Sequence, residues 1–514
     1  MINQKPKPNV EKLQSTIKHV VVLMLENRSF DNLLGWLYED KAPYDRPPEG
    51  QEFEGLTNGM WNPLDNLDTD GIAFKEKVLV ERNGQPKTFH GKEVPNPVDF
   101  TLPKPDPGEG FKDTNYQLFQ EYNVPLQYPP PAINTGFVQN YQNAMTYGTY
   151  SFGDEPTNPR SIMKCYTPEQ TPVLSKLARN FAVCDQYYCS VPSQTLPNRD
   201  FVHAVTSTGY VNNGPKAQCD AKTIFNQIQD EIDGGRIDLS WGIFGNNISS
   251  NNIKDKAGKF GNDHFSLTRL IMTKLHDPRF ERNFGTLDEF KKRCAQGNLP
   301  SYSFLEPNYG GSGQNDQHPP SDIRPGERLI ADIYNAVRES EVFEETLLII
   351  TYDEHGGCYD HVPPPGGAKN PDVNDTPGQD GFLFNRFGVR VPCVVINPYI
   401  KPGLIARSAS YIPFDHTSII KTVQNCFKLK GHLTERDKAA PDFSGLLTLD
   451  VPNKNDVEVE PLQWDIEAAS HSTNELHRLI GTIMEELTGS SVPQSADLLE
   501  YIQESYNSLF KANT

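Results

Sequence analysis

The chain has 514 residues, of which 36% are hydrophobic, so it can bury a substantial core in one large domain or in several smaller ones. Its formal net charge of −19 at pH 7 argues against sequence-independent binding of nucleic acid, which needs a basic surface. The same charge argues against strong attraction to anionic lipid and leaves open only a transient contact with a zwitterionic membrane surface.

The sequence contains no apolar run of about 18 residues, so we expect no membrane span. The first apolar run comes late and leads into charged residues without a small-residue cleavage site, unlike a secretory signal. We therefore expect a cytoplasmic protein, or one exported by a route without a cleavable N-terminal signal. The eight cysteines form no CxxC pair and lie near no histidine cluster, and we interpret them as core thiols.

Short apolar runs rich in β-branched residues predict strands that are buried on both faces. The predicted strands cover residues 20–25, 181–184, 241–244, 302–305, 347–351 and 391–396. Helical patterns lie between them at residues 30–37, 171–180, 287–295 and 326–339. This alternation predicts an α/β fold with a central, mostly parallel sheet and helices on both faces. Ligands of such folds gather at the carboxyl ends of the strands.

Two further regions differ from this alternation. Residues 40–135 are rich in Pro, Gly, Asn and Asp and predict an irregular insertion that covers the sheet and helps to wall the active site. We place a catalytic domain, including this insertion, at residues 15–445. Residues 446–514 predict a short, mostly helical C-terminal segment, in which Ser472 or Thr473 forms a capping box with Glu475.

Acidic and amide side chains follow two of the predicted strands directly. The first strand ends in Glu26 and Asn27, and a later strand ends in Asp353 and Glu354. Carboxylates at the tips of neighbouring strands repel one another unless a proton or a cation lies between them. A divalent metal held by these four residues would remove the repulsion, and calcium, magnesium, manganese and zinc all remain open. The alternative interpretation is two unrelated acidic loops.

Thr195 is a candidate nucleophile in the segment CSVPSQTLPNRDF, where it lies among small and turn-forming residues. A threonine hydroxyl is a weak nucleophile at neutral pH, but coordination to a metal lowers its pKa. Composition alone is far more typical of an ordinary loop threonine, so this hypothesis depends on the metal site.

Three histidines lie within two residues of an aspartate in polar loops: Asp263 with His264, Asp316 with His318, and Asp415 with His416. Such imidazoles can donate to phosphoryl oxygens or protonate a leaving alkoxide. A single pair of this kind is also common in helix caps and turns, so the pairs alone do not establish a site.

Four long motifs in the chain are ENRSFDNLLGW, QTLPNR, NDQHPPSDIRPGERLIADIYNAV and TYDEHGGCYDHVPPP. Together they resemble the bacterial phospholipase C and acid phosphatase A phosphoesterase family, to which the non-specific phospholipases C of plants are similar. The resemblance runs from about residue 17 to about residue 425. It implies an alkaline-phosphatase-like α/β fold.

The resemblance also implies roles for individual residues. The implied metal ligands are Glu26, Asn27, Asp353 and Glu354, and the implied nucleophile is Thr195, which is threonine in the phospholipase branch and serine in the acid phosphatase branch. We expect structural or outer-shell roles for the other histidines of these motifs, His355, His361 and His416.

The phosphoryl site is implied to be lined by Asp263, His264 and His318. One departure is Glu109, which stands where the family often shows the histidine of a DP-x-H element. A carboxylate there repels a phosphate dianion, so it either contacts a second cation or favours a substrate of lower charge, such as a diester.

The sequence therefore predicts a metal-dependent phosphoester hydrolase. The more specific prediction is a phospholipase C that releases diacylglycerol and a phosphorylated head group through a phosphothreonine at position 195. Thr195 and Glu109 favour it over an acid phosphatase that acts on small monoesters. The third hypothesis is a catalytically degenerate metal-binding interaction protein. The predicted partner is a phospholipid or small phosphoester, and the oligomeric state is open.

Overall fold

The fold is described from a computed structural model of the chain. It describes residues 7–39, 46–67, 71–89, 92–125, 129–147, 158–214, 218–246, 248, 264–463, 475–493 and 498–510. The capping box expected at residues 472–475 involves Ser472 and Thr473, which lie outside the described residues. Within the described part, no helix is both long and apolar enough to cross a membrane.

The strands form one large sheet and several two-stranded ones. In chain order they are β1 His19–Leu25, β2 Trp61–Leu67, β3 Ala73–Leu79, β4 Glu81–Arg82, β5 Lys87–Phe89, β6 Lys92–Val94, β7 Lys164–Cys165, β8 Ala182–Val183, β9 Tyr187–Tyr188, β10 Trp241–Phe244, β11 Phe284–Gly285, β12 Tyr302–Leu305, β13 Thr346–Tyr352, β14 Cys393–Ile396, β15 Leu404–Ile405 and β16 Phe414–Asp415. The large sheet has eight strands in the order β11-β10-β12-β1-β13-β14-β8-β15.

The helices connect and cover these strands. In chain order they are α1 Val10–Thr16, α2 Phe30–Leu34, α3 Phe111–Phe119, α4 Phe137–Tyr147, α5 Pro172–Asn180, α6 Thr195–Ala204, α7 Ile224–Asp233, α8 Leu267–Ile271, α9 Leu287–Ala295, α10 Arg324–Arg338, α11 His416–Phe427, α12 Glu435–Ala439, α13 Glu475–Thr488 and α14 Leu498–Phe510.

The central sheet confirms the predicted α/β architecture. All six strands predicted from the sequence belong to it, and only β14 runs antiparallel to its neighbours. Every residue of β13 is buried. Because successive side chains of a strand point to opposite faces, this burial means that both faces of the sheet are covered there.

The first predicted helix is shorter than its sequence pattern. We predicted a helix over residues 30–37, but α2 ends at Leu34. The carbonyl of Gly35 accepts a hydrogen bond from the backbone N–H of Leu56 (2.7 Å), a residue of the insertion. That bond takes the carbonyl away from a continuing helix, so a tertiary contact overrides the local pattern.

The insertion combines short strands with helical structure. It contains an antiparallel hairpin of β2 and β3, a smaller pair of β5 and β6, and the helix α3, which sequence composition did not indicate. The loop that precedes α3 carries Glu109, which is buried. The insertion therefore brings its own side chains under the sheet edge as well as covering it.

From Glu475 onward the described C-terminal residues form α13 and α14, apart from residues 489–493, which are not helical, and residues 447–463 form no helix either. His477 of α13 hydrogen-bonds to the carbonyl of Tyr309, and Gln503 of α14 accepts from the N–H of Ile248 (3.1 Å). These contacts join the segment to the rest of the chain, and the boundary between residues 445 and 446 stays a prediction.

The registry of β1 and β13 aligns their ends. Leu25 pairs with Tyr352, and the N–H of Asp353 donates to the carbonyl of Leu25 (3.2 Å). The two strands are parallel neighbours, so the residues that follow them, Glu26 and Asp353, leave the sheet at the same edge.

The turn after β13 requires glycine at position 356. Gly356 has φ +60°, and a Cβ atom added there would lie 2.2 Å from the carbonyl oxygen of Asn27. We expect Gly356→Ala to lower the free energy of unfolding by about 1–3 kcal/mol, because it adds backbone strain and a clash with the tip of β1. Urea unfolding monitored by fluorescence checks this.

Gly366→Ala is the matched control, because a Cβ at Gly366 meets nothing within 4 Å and its φ lies outside the left-handed region. The control should change the unfolding free energy by no more than about 0.5 kcal/mol. Equal effects of the two substitutions would contradict the close approach of the strand tips.

Candidate active site

The two strand tips are bound to each other. The backbone N–H of Asn27 donates to Asp353 Oδ1 (3.0 Å), and the N–H of Glu354 donates to the same oxygen (2.8 Å). Gly356 N–H donates to Glu354 Oε2 (2.7 Å). The side chains of Glu26, Asn27, Asp353 and Glu354 are fully buried. The structure thus brings together the four residues expected to hold a metal.

Asn27 has an unusual backbone conformation for a residue other than glycine. Its φ is +53°, in the left-handed region, which asparagine tolerates better than most side chains. This conformation ends the extended run of β1 abruptly and turns the amide side chain of Asn27 toward its neighbours in the site.

Thr195 is the first residue of α6, and its hydroxyl lies at the same place. Thr195 Oγ1 is 3.4 Å from Glu26 Oε2 and 3.4 Å from Asn27 Oδ1. The positive end of a helix dipole favours negative charge near the first turn. A phosphoryl group at Thr195 would therefore lie at the positive end of a ten-residue helix, in whose first turn the N–H of Leu196 already donates to Asn213 Oδ1 (2.9 Å).

Arg199 is a site residue that the sequence reasoning missed. It lies one turn beyond Thr195 on α6, and its guanidinium donates to Glu26 Oε1 and lies 3.6 Å from Asp353 Oδ2. Burial lowers the pKa of Arg199, but the charge of Glu26 raises it above the ordinary value, so the guanidinium stays charged. The i, i+4 spacing from Thr195 is the sequence signal that identifies it.

The site carries more carboxylate than its guanidinium can compensate. Burial raises the pKa of Glu26 well above its ordinary value; Arg199 lowers it, and Asp353 raises it further. Burial and the charge of Asp353 likewise raise the pKa of Glu354. These pKa shifts indicate that the ionised form of both carboxyls is destabilised unless a cation or a proton lies between them.

His318 lies on the other side of Asn27. Its Nδ1 contacts the carbonyl of Pro319 (2.6 Å), and its Nε2 contacts Asn27 Nδ2 (3.1 Å). Because a carbonyl accepts and an amide nitrogen donates, the proton is on Nδ1 and the lone pair on Nε2. Burial lowers the pKa of His318 to about 4, so the ring is neutral at neutral pH.

The partner expected for His318, Asp316, contacts its backbone rather than its ring. Asp316 Oδ1 accepts from the N–H of His318 (3.1 Å), and both carboxylate oxygens accept from Gln314 Nε2. Burial raises the pKa of Asp316 to about 7. The pair therefore shapes the loop and does not orient the imidazole directly.

Glu109 is also part of this region. Its Oε2 accepts a hydrogen bond from Asn27 Nδ2 (2.6 Å), and its side chain interacts with that of Glu354. Asp106, Glu109 and His318 each offer one ligand atom, and these three atoms lie within 4.8 Å of one another. The position that departs from the family pattern thus lies inside the site.

His264 contacts residues of β11 and α14. The ring of His264 stacks on Phe284 of the sheet-edge strand β11 (centroids 6.2 Å apart) and meets Tyr506 of α14 edge-on (6.1 Å). Its carbonyl accepts from Gln503 (3.5 Å). Asp263, the other residue implied for the phosphoryl site, lies outside the described residues.

Two further histidines of the motifs hold the strand tips in place. His416 Nε2 contacts the carbonyl of Asp353 (2.5 Å), while its Nδ1 contacts Tyr187 Oη (3.0 Å). His355 Nε2 contacts Gln117 Oε1 (2.7 Å). Both rings are fully buried, which is compatible with the structural or outer-shell roles expected for them.

Asp31, Asp360 and His361 form a second cluster of residues that could bind a metal, but a guanidinium already compensates its charge. Arg390 donates to Asp31 Oδ1 (2.9 Å) and to Asp360 Oδ1 (2.9 Å), and His361 Nδ1 lies 2.6 Å from Asp31 Oδ2. A buried guanidinium thus compensates these carboxylates directly, and we assign the cluster to structure.

The residues at the strand tips fit a hard divalent cation. Asp353 Oδ2 and Glu354 Oε1 are buried and accept no hydrogen bond from the described residues. Together with Glu26 and the side-chain oxygen of Asn27 they form an oxygen donor set, which calcium, magnesium and manganese prefer and zinc accepts. Metal binding is therefore compatible with the site, whereas the identity of the ion is not determined by these donors.

Comparisons with known proteins identify the family of this chain. A family model described as the Phosphoesterase family matches residues 17–430. Non-specific phospholipase C5 of Arabidopsis thaliana is 33% identical over 457 residues, which cover 85% of this chain and 75% of that protein. Phospholipase C B of Mycobacterium tuberculosis is 27% identical over 435 residues, covering 80% and 73% respectively.

A solved structure from Vibrio parahaemolyticus, described as a protein in the alkaline phosphatase superfamily, is 13% identical, covers 54% of this chain and 65% of that chain, and has a TM-score of 0.28. A likeness of this size carries no argument, and the α/β fold rests on the sheet itself. The family model, which covers most of the chain, and the plant relatives show the family. This chain belongs to the Phosphoesterase family and is a phosphoric ester hydrolase.

Proposed function

We propose that the protein is a metal-dependent phospholipase C that cleaves the bond between glycerol and phosphate. The observation that carries the proposal is the position of Thr195 Oγ1, at a helix N-terminus and 3.4 Å from oxygens of both Glu26 and Asn27. This position supports the proposal, because the hydroxyl lies beside the oxygen atoms proposed to hold the cation and at the positive end of a helix dipole.

In the proposal, Glu26, Asn27, Asp353 and Glu354 hold the divalent cation. When bound, such an ion lowers the pKa of a neighbouring hydroxyl and stabilises negative charge on a phosphoryl oxygen. Asn27 Oδ1 and Glu26 Oε2 both face Thr195, so the same two residues that hold the ion also orient the nucleophile.

The proposed first step forms a bond between Thr195 Oγ1 and phosphorus. The hydroxyl proton passes to Glu26 Oε2, the oxygen that faces it, and the bond from phosphorus to the glycerol oxygen breaks. Diacylglycerol leaves with a proton from water, and the head-group phosphate stays on Thr195. The hydroxide left from that water then attacks the same phosphorus, the bond from phosphorus to Thr195 Oγ1 breaks, and the threonine oxygen takes back the proton held by Glu26 as the phosphorylated head group leaves.

The other side chains of the site position these groups. Arg199 holds Glu26 and Asp353 by charge, which keeps the two carboxylates at a fixed separation. His318 has its Nδ1 proton engaged by Pro319, so in this protonation state its Nε2 accepts rather than donates. Its expected role as a donor to phosphoryl oxygens therefore requires a second proton.

The names of the relatives and the charge of the site both support this substrate class. Relatives in plants and in Mycobacterium tuberculosis are named phospholipases C. A phosphodiester carries one negative charge, whereas a monoester near neutral pH carries nearly two. The additional carboxylate of Glu109 beside Asn27 disfavours the more highly charged ester.

Thr195→Ala should abolish turnover of p-nitrophenylphosphorylcholine. We expect a fall in kcat of roughly 10³-fold or more, because the variant loses the atom that bonds to phosphorus. The assay compares this diester with p-nitrophenyl phosphate, after the metal content of the wild type and the variant has been measured. Thr206→Ala, a loop residue just beyond α6, is the matched control and should retain activity.

Two results would contradict the proposal in different ways. A strong preference of the wild type for p-nitrophenyl phosphate would identify a phosphomonoesterase of acid phosphatase type. Undiminished turnover by a metal-containing Thr195→Ala protein would exclude the threonine as nucleophile.

Removal of divalent metal should abolish activity reversibly. We expect chelation to inactivate the wild type and one or more of magnesium, calcium, manganese and zinc to restore it, since the buried carboxylates need a cation. Asp353→Asn should not be restored at the same metal concentration, because it removes one charge from the donor set.

The control for this experiment is Asp360→Asn, which also removes a buried carboxylate but one that Arg390 compensates. It should be restored like the wild type if it folds, as checked by circular dichroism. Full activity of the exhaustively chelated wild type would refute the metal requirement.

A further inference from the structure

The side chain of Asn27 divides the carboxylates of the site into two sets. Its Oδ1 faces Thr195, on the side of Glu26, whereas its Nδ2 donates to Glu109 and contacts His318 Nε2. The second set contains Asp106 as well as Glu109, and neither residue belongs to the donor set assigned above.

We propose that Asp106, Glu109 and His318 form a second divalent-cation site, which Glu354 connects to the first. This inference rests on the proposed function in one respect: it takes Glu26, Asn27 and Asp353 as the principal ligands of the first ion. It names this chain's own acidic residue, Glu109, as the ligand that distinguishes the second site.

The distances suit a metal ion. One ligand atom from each of Asp106, Glu109 and His318 lies within 4.8 Å of the other two. Atoms that share an ion at bond lengths of about 2.0–2.6 Å lie up to about 5 Å apart. A quaternary ammonium group is bulkier and is recognised by aromatic faces, so the convergence favours a metal over a cationic head group.

The histidine can act as a ligand in its present orientation. His318 Nδ1 is engaged by the carbonyl of Pro319 and lies 3.8 Å from Asp106 Oδ2, whereas Nε2 accepts from Asn27 Nδ2, the amide nitrogen that also donates to Glu109. An ion bound through Nε2 would replace the contact of Nε2 with this amide. Metals bind neutral imidazole through such a lone pair, while the other nitrogen donates to a carbonyl or carboxylate. The ring is almost fully buried, so it is held in this orientation.

An independent observation comes from Glu354. This residue is fully buried, its Oε1 accepts no hydrogen bond within the described residues, and its side chain interacts with Glu109. Two ionised carboxylates cannot hold this contact without a cation or a proton between them. Glu26 and Asp353 form a corresponding carboxylate contact on the first side. The site therefore has two places where paired carboxylates need compensation.

The total charge of the region leads to the same conclusion. The two sets contain five carboxyls, and within the described residues Arg199 is the guanidinium that forms ion pairs with two of them, Glu26 and Asp353. The other three are Asp106, Glu109 and Glu354. Arg28 and Asp316 flank this set and carry opposite formal charges, so they add no net charge when both are ionised. With all five carboxyls ionised, one divalent cation leaves an excess of two negative charges, and a second neutralises it. A phosphodiester then adds a single negative charge to a neutral site, whereas a monoester dianion adds two.

The test measures metal binding rather than turnover. Metal-free wild type is titrated with Mn²⁺, bound metal is counted after dialysis, and electron paramagnetic resonance reports whether the bound ions are close enough for their spins to couple. We expect two Mn²⁺ per chain with a coupled signal. Glu109→Gln should bind one Mn²⁺ and show the signal of an isolated ion.

Asp360→Asn is the matched control, because it removes a buried carboxylate from the cluster that Arg390 compensates. It should retain both ions. If circular dichroism shows that Glu109→Gln does not fold, Asp106→Asn, at the more exposed ligand, gives the same comparison.

Three results would overturn the second site: one Mn²⁺ per chain in the wild type, two uncoupled ions, or two coupled ions retained when Glu109 or Asp106 is neutralised. These outcomes are independent of the proposed function. If the protein binds two coupled ions but does not turn over a phosphodiester, the second site is supported and the phospholipase C activity is refuted. If the protein is active with one ion, the phospholipase C activity is supported and the second site is refuted.

Discussion

Electrostatic repulsion between buried carboxylates is the constraint on which the rest of this structure depends. Two parallel neighbouring strands, β1 and β13, end in register, and each is followed by an acid that is fully buried. Such an arrangement is expensive in a protein interior unless positive charge compensates it. In the described residues, Arg199 supplies part of that charge, and the remainder must come from a cation or from protonation. Without a bound ion, this group of buried carboxylates lowers the stability of the folded protein. This cost is a reason to assign the carboxylates to function.

The surrounding fold holds these acids together despite their repulsion. The backbone N–H groups of Asn27 and Glu354 both donate to Asp353 Oδ1, and His416 contacts the carbonyl of the same residue. The left-handed turn at Gly356 lets the loop after β13 pass within van der Waals range of Asn27. Each of these contacts is made by a strand end, a helix start or a tight turn. The rigid elements of the fold therefore hold the carboxylates in place against their mutual repulsion.

The sequence predicts the parts of this arrangement that follow from strand geometry. Apolar runs that stop at Glu26 and at Asp353 identify both the strands and their polar tips, because parallel strands deliver their ends to one edge. Periodicity carries no information on the contact between Asn27 and Glu109, which are separated by 82 positions and joined through an irregular loop. The packing of His264 could not be predicted from the sequence either. The resemblance implies that His264 lines the phosphoryl site, but a motif does not indicate which side chains its ring will contact, and in the structure the ring packs on Phe284 and Tyr506.

Asn27 explains why a carboxylate is tolerated at position 109. Its amide has an acceptor and a donor at opposite ends, so it can face a hydroxyl and a cation with Oδ1 while donating to Glu109 with Nδ2. A carboxylate in place of this amide would have no donor for Glu109 and would add one more negative charge. The orientation of Asn27 is in turn fixed by its left-handed backbone and by its N–H bond to Asp353. The neutral residue among the acids is therefore the one that allows the two acidic sets to lie side by side.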